Sequence, residues 1–221
     1  MTWKIELHSH TTASDGSVSP EELVRIAFKK GLSGLAITDH NTFRGAVLGF
    51  RALKIHGFDM VLLYGNEVRT TWGDILVICD HPPSSEAPKD PFELREWSNE
   101  GNCIMIAAHP YHLGRNSVGS RVRVHGDLFD AIEVWNARGV PLLNIPAMND
   151  AYRLGKPGVS GSDSHVKSEV GVAPIELEWE PSSIDEAIDA IRRGRVKPSI
   201  AMPPVRAYIE AAAWAISRRM S

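Results

Sequence analysis

Short apolar runs alternate along this chain with stretches whose apolar residues recur at helical spacing. Trp3–Leu7 alternates apolar and polar side chains, which predicts a strand. Ser19-Pro20-Glu21-Glu22 then supplies an N-cap, a proline for the first turn and a glutamate at the third helical position. Leu23, Ile26 and Ala27 continue that helix, and Gly31 is its natural stop. Further strands are predicted at Leu35–Thr38, Met60–Tyr64, Ile75–Cys79, Cys103–Ala108, Ala131–Trp135 and Gly158–Ser162. Further helices are predicted over Phe43–His56, ended by Gly57, and from Asp90-Pro91-Phe92-Glu93 to Gly101. Val140–Leu154, with Pro141 and Pro146 in its early part, Ser183–Gly194 and an alanine-rich amphipathic segment over Pro204–Arg219 complete the helices.

Repeated strand–helix units predict an α/β fold built on a mainly parallel sheet, open or closed into a barrel. No linker, repeat or compositional shift divides the chain, so residues 1–221 are read as one domain, with Pro82–Pro91 as a surface loop. A chain of this length buries a sizeable core without disulfide or metal support. Its 43% hydrophobic and 23% charged residues are ordinary for a globular protein and argue against disorder. No apolar run reaches membrane-spanning length, so no membrane partner is expected. Net charge is −3, so no global basic field favours a nucleic-acid duplex. Cys79 and Cys103 lie in apolar runs and are read as two buried thiols. The first residues contain no secretory h-region, which makes the cytoplasm the expected location.

The nine histidines change the picture, because several lie where an apolar run ends. Leu7 is followed by His8-Ser9-His10, Thr38 by Asp39-His40, Tyr64 by Gly65-Asn66-Glu67, Ala108 by His109-Pro110, and Ser162 by Asp163-Ser164-His165. The C-terminal edge of a parallel sheet is where α/β folds place their active sites. On an extended strand, His8 and His10 point to one side and can reach one ion. Imidazoles mixed with carboxylates suit Zn²⁺, Mn²⁺ or Fe²⁺.

His8-Ser9-His10-Thr11, Ser14-Asp15-Gly16 and Ile37-Thr38-Asp39-His40-Asn41-Thr42 resemble the opening motifs of the PHP (polymerase and histidinol phosphatase) family. Gly65-Asn66-Glu67, Ala108-His109-Pro110 and Gly161-Ser162-Asp163-Ser164-His165 resemble its later motifs, in the same order. The resemblance spans residues 3 to about 200. It implies a distorted (β/α)7 TIM-like barrel with up to three divalent ions at the strand C-terminal ends. Carried over position by position, His8, His10, Glu67 and Asp163 would hold a first metal. Glu67 and His109 would hold a second. Asp15, His40 and His165 would hold a third. Relatives often place a histidine after the bridging glutamate; here Gly73 is followed by Asp74. Asp74 is read either as a harder ligand, favouring Mn²⁺ or Fe²⁺ over Zn²⁺, or as a turn residue before a strand.

The implied enzyme is a metal-dependent phosphoesterase that hydrolyses small phosphomonoesters through a metal-bridging hydroxide. Three divalent ions would leave net positive charge over Asp15, Glu67, Asp74 and Asp163, which suits a phosphorylated metabolite. Arg115 and Arg138 are candidates to bind phosphate oxygens, or are solvated loop arginines. His112 is a candidate general acid or substrate contact, or a surface histidine. Asp39 is a candidate partner for a ligand imidazole, or faces helix N-termini. Arg121 and Arg123 are read as solvent-facing, and His56 and His125 as structural. The rivals are a phosphodiesterase or nuclease acting on single-stranded ends and a non-catalytic regulatory module. An amidohydrolase would call for a lysine bridging the metals, and none stands at a strand end. Trp214 and Ile216 leave open whether the last helix packs on the barrel or on a second subunit, and oligomeric state is open.

Overall fold

The computed structural model describes residues 2–220; the terminal Met1 and Ser221 of the expected domain lie outside the described residues. Nine strands form one sheet in the order β7-β6-β5-β4-β3-β2-β1-β8-β9. They are β1 (Trp3–Glu6), β2 (Gly34–Ile37), β3 (Val61–Arg69), β4 (Asp74–Cys79), β5 (Cys103–Ala107), β6 (Ala131–Asn136), β7 (Gly158–Gly161), β8 (Ile175–Leu177) and β9 (Lys197–Pro198). The helices are α1 (Pro20–Lys29), α2 (Arg44–His56), α3 (Pro91–Glu100), the single turn α4 (Arg121–Val124), α5 (Ile145–Leu154), α6 (Ile184–Arg192) and α7 (Val205–Met220). The sheet curls until it nearly closes. Ser160 of β7 spans the seam: its Oγ donates to Pro174 O and accepts from Ser199 N.

The expected strands form, but the sheet is mixed where a mainly parallel one was expected. β1, β2 and β3 run parallel, as do β5, β6 and β7. β4 is antiparallel to both its neighbours, and β8 and β9 close the other edge antiparallel. The reason is connection length. Only Thr70–Gly73 joins β3 to β4, which suffices for a hairpin and is far short of a parallel crossover. β8 and β9, of three and two residues, are too short to show a hydrophobic period.

The reversed β4 fixes two positions. Its first residue, Asp74, lies at the edge where the parallel strands end. Its last residue, Cys79, lies at the opposite end, in register with Cys103. Cys79 and Cys103, expected as two thiols, form a disulfide, because the antiparallel register brings their Cα atoms to 4.1 Å.

Helix signals act as read. The Ser19 side chain accepts from Glu22 N, Asp90 caps α3 and Ser183 caps α6. Inward-facing Ile5, Leu63, Leu76, Ile78, Ile104 and Ile106 pack against Ala187, Ile188 and Ile191, so α6 plugs the barrel floor. The outward faces pack under α1, α2, α3 and α5. Apolar side chains thus fill the lower barrel and leave its upper rim to polar groups. α7 packs on the barrel: Trp214 Nε1 donates to Asp15 O at 2.8 Å, while Ile216 is exposed. Among the described residues, no helix is long and apolar enough to cross a membrane.

Candidate metal centre

The rim gathers all nine predicted ligands. Four groups of donor atoms each lie within 4.8 Å: His10 with Asp15, His40 and His165; His8 with His109 and Asp163; His8 with His10 and Glu67; and Glu67 with Asp74 and His109. Glu67 is their hub. Its Oε1 lies 2.9 Å from His109 Nε2 and 3.4 Å from His8 Nε2; its Oε2 lies 3.0 Å from His40 Nδ1 and 3.2 Å from His10 Nε2. Asp163 Oδ1 lies 3.4 Å from His10 Nε2 and 3.7 Å from His8 Nε2.

Local backbone presents these groups. β3 continues past its expected end at Tyr64, so Glu67 stands inside a strand and points inward. A bridge between Ser9 and Ser164 brings the His8–His10 segment beside the Asp163–His165 segment. His109 and Asp163 adopt positive φ, 29° and 51°, a strained conformation for residues with a Cβ. Gly161 is required at a close approach: a Cβ there would come within 2.5 Å of both His8 Cβ and Glu133 Oε1.

Three buried glutamates and one aspartate set the ligands' positions. His8 Nδ1 lies 3.0 Å from Glu133 Oε1, which fixes a proton on Nδ1 and leaves Nε2 facing the cluster. Glu133 Oε2 accepts from His109 N at 2.6 Å and from Asn136 Nδ2 at 3.1 Å. Glu6 accepts from His8 N, Ser162 N, Ser162 Oγ and Gly171 N, tying the first and last motifs together. Glu169 Oε2 accepts from His165 N and Val166 N. Asp39 does not orient His40. Its carboxylate accepts from Thr11 N, Thr11 Oγ1 and Ser14 Oγ and so braces the loop that carries Asp15. It also abuts Gly45 near the start of α2, the other position open to it.

Glu6, Glu133, Glu169 and Asn136 were not singled out from sequence. The first two did leave a signal: each is a carboxylate inside an otherwise apolar strand, in Trp3–Leu7 and Ala131–Trp135. Their pairing with His8 spans up to 125 residues and is invisible to local spacing.

The electrostatics favour cations. Burial pushes Glu67 towards neutrality, but His8, His10 and His109 overcome it and hold its carboxyl well below the usual range. Burial works against charge on His8, yet Glu133 and Glu67 outweigh it and hold that ring up to about 10. Burial, reinforced by His10, depresses His165 to about 3. Burial likewise takes His40 to about 4. These two rings are neutral at neutral pH, the form that ligates a metal. Asp74 is raised, first by burial and then by Glu67. A cation between these two carboxylates would relieve that repulsion.

The residues fit divalent ions on a second count. His8 Nε2, both ring nitrogens of His10, His40 Nδ1 and His109 Nδ1 are buried with no hydrogen-bond partner. Buried polar atoms in proteins are normally satisfied, and so many in one pocket need a ligand to explain them.

Above the cluster lies a cavity of about 390 Å³ whose lining includes Glu67, Asp74, Asp163 and three arginines, Arg69, Arg115 and Arg138. Arg115 Nη1 donates to Asp163 Oδ2, and Arg138 Nε lies 3.6 Å from Glu169 Oε1. Arg69 was not singled out from sequence. Asn116 also lines the cavity, and its Nδ2 donates to Asp74 Oδ1 at 2.9 Å. His112 lies behind this wall. It is buried, its Nε2 stands 3.0 Å from Asn144 Oδ1, and it does not line the cavity. His56, paired with Glu21, and His125, packed against Trp72 and Phe92, lie outside the cluster. Arg123 faces solvent as expected, and its Nε also donates to Asp150 where the turn α4 packs against α5.

Comparison with known proteins bears on this site. A family model described as the PHP domain matches residues 6–121, more than half of the chain. The chain belongs to the PHP family. Membership places it among metal-dependent hydrolases of phosphoric esters. A second model, described as PHP-associated, matches residues 143–196. An uncharacterized protein of Methanocaldococcus jannaschii is 34% identical over 148 residues, 61% of this chain and 82% of that protein. A 5'-3' exoribonuclease of Haemophilus influenzae is 43% identical over 72 residues, which cover 33% of this chain and only 26% of that enzyme. The crystal structure of a two-domain Bacteroides vulgatus protein, containing a predicted PHP-like metal-dependent phosphoesterase, superposes with a TM-score of 0.73 at 18% identity. It covers 91% of this chain and 65% of its own, a likeness of fold.

Proposed function

We propose that this PHP protein hydrolyses small phosphomonoesters, among them nucleotide, sugar or amino-alcohol phosphates. One observation carries the reading: three arginines ring a cavity of about 390 Å³ whose floor is a cluster of metal ligands. That volume suits a small ligand, and guanidinium forks match phosphate oxygens. His8, His10, Glu67 and Asp163, then Glu67, Asp74 and His109, then Asp15, His40 and His165 would hold up to three divalent ions, Zn²⁺, Mn²⁺ or Fe²⁺. Such ions supply Lewis acidity towards water and phosphoryl oxygens.

The chain's own groups do the rest. Arg115 and Arg138 grip the non-bridging phosphoryl oxygens from the neighbouring loops after β5 and β6. Glu133 keeps His8 in the ligating tautomer. His112, proposed from sequence as a general acid, sits one layer back. Its role is to position His109, with which it shares the Ser117 hydroxyl: Ser117 Oγ donates to both His109 O and His112 O.

A second reading, hydrolysis of single-stranded nucleic-acid ends, is supported by the local similarity to an exoribonuclease. A panel of phosphorylated metabolites and 5'-phosphorylated oligonucleotides, assayed with Mn²⁺, Zn²⁺ and Mg²⁺, separates the two. The expected result is phosphate release from metabolites with weak, salt-sensitive oligonucleotide turnover. Efficient nucleotide release from oligonucleotides with inert metabolites would overturn it.

Asp74 bears on metal choice. Replacing its hard oxygen by an imidazole in Asp74→His is expected to move preference towards Zn²⁺ over Mn²⁺ with hydrolysis retained. Competition between the two ions, read by elemental analysis, checks this. An unchanged ratio removes Asp74 from the site.

A further inference from the structure

A second cavity, of about 410 Å³, is walled by α1, α7 and the segment that follows the ligand His165. No residue lines both it and the cavity above the metal cluster. Its cations come from three separate elements: Arg25, Lys29 and Lys30 from the end of α1, Lys167 from the segment after His165, and Arg206 from the first turn of α7. All five are exposed and so within reach of a ligand. Glu22 and Glu210 are the acidic lining, which leaves a local net charge of +3 in a chain whose net charge is −3.

The two carboxylates do not quench this charge. Glu210 is engaged with Ser168: its Oε2 accepts from Ser168 N at 3.1 Å and its Oε1 from Ser168 Oγ at 2.6 Å. Glu22 Oε1 lies 3.9 Å from Lys167 Nζ. Lys30 Nζ donates to Val170 O at 2.6 Å. Among the described residues, no carboxylate lies within ion-pair distance of Lys29, Lys30 or Arg206. The negative end of α1 favours cations at Lys29 and Lys30. Nothing of that kind favours Arg206. It stands at the positive end of α7, where a cation is disfavoured, and the first turn of that helix holds no acidic residue. Burial lowers Lys30, and the nearby Arg206 guanidinium lowers it further. An anion between these groups removes the repulsion. The lining has no aromatic side chain on which bases could stack, which disfavours a nucleic-acid strand, and the volume suits a small ligand.

We propose that this cavity binds a compact oligophosphate, two or three linked phosphoryl groups, free or carried on a nucleoside. A diphosphate carries about three negative charges near neutral pH, which matches the lining. The Arg206 guanidinium forks onto phosphoryl oxygens, and the lysines act as point charges around them. The site is separate from the phosphoesterase centre and stands without it.

The test titrates methylenediphosphonate, whose P–C–P link resists hydrolysis, calorimetrically into the metal-loaded full chain. A saturable site is expected whose affinity falls as salt is raised. Arg206→Glu and Lys29→Glu, both at exposed positions, should each weaken it about tenfold or more, the scale of one charge-assisted contact, and leave phosphate-ester hydrolysis unchanged. Any diphosphonate held at the metal centre persists in these variants, which tells the two sites apart. The α,β-methylene analogue of ADP forms a second arm: tighter binding than the diphosphonate assigns the nucleoside-borne ligand, and weaker binding the free one. Wild-type affinity in both folded variants overturns the proposal. So does equal affinity for orthophosphate, or tighter binding of a single-stranded oligonucleotide at this site.

Discussion

Replacing His10 or Asp163 by alanine is expected to abolish phosphate-ester hydrolysis while the chain stays folded. His10 touches both Glu67 and Asp163 and belongs to two of the four donor groups, and Asp163 faces His8 and His10 from the last motif. Losing either would open one of the proposed coordination shells at the centre of the cluster. Lewis-acid stabilisation of a phosphoryl transition state is worth several kcal/mol, so turnover should fall by about a thousandfold or more. The fold should survive because the apolar core lies below the rim, with α6 sealing the floor. Each change also thins a crowd of buried ionisable groups, whose desolvation is itself unfavourable. Steady-state assay, metal content and circular dichroism together check this. Full activity in either folded variant would dismantle the ligand assignment.

The second large effect falls on a residue that touches no substrate. Glu133→Gln should weaken metal binding about ten- to a hundredfold, the usual consequence of removing a ligand's buried partner. Glu133 serves His8 Nδ1 with one oxygen and His109 N and Asn136 Nδ2 with the other. Glutamine keeps one acceptor and turns a donor towards donors. Either the His8 tautomer is released or the buried His109 N–H loses its acceptor. The latter costs about 1–3 kcal/mol, so the variant should also unfold at a lower temperature. Titration against a chelating indicator measures affinity, and a melting curve measures stability. Wild-type affinity in the variant would show that Glu133 supports the fold alone.

His8, His10, His40, His109, Asp163 and His165 were legible because residue type and position agree: each follows an apolar run, and strand ends collect at one rim. Glu67, three residues past Tyr64, belonged to the same pattern, while Asp15 and Asp74 became legible through the family resemblance. Glu6 and Glu133 were hidden because a carboxylate within an apolar strand reads locally as an interruption, and its meaning depends on a partner far along the chain. Arg69 was hidden for a related reason. It lies on the strand extension beyond Tyr64, which a run of Gly65, Asn66 and Glu67 does not announce.

The sequence by itself determined the limits of α1, α3 and α6, since caps and stops act over a few residues through local hydrogen bonds; it did not announce the turn α4, and α5 begins at Ile145 rather than Val140. The sequence also determined the α/β class and pointed to the nine side chains that gather at the rim as candidate ligands. Tertiary structure alone decided that β4 runs backwards, that Cys79 meets Cys103, and that His112 lies behind the cavity wall. All of these depend on which strands become neighbours and in what register, and that pairing is set by packing between distant segments.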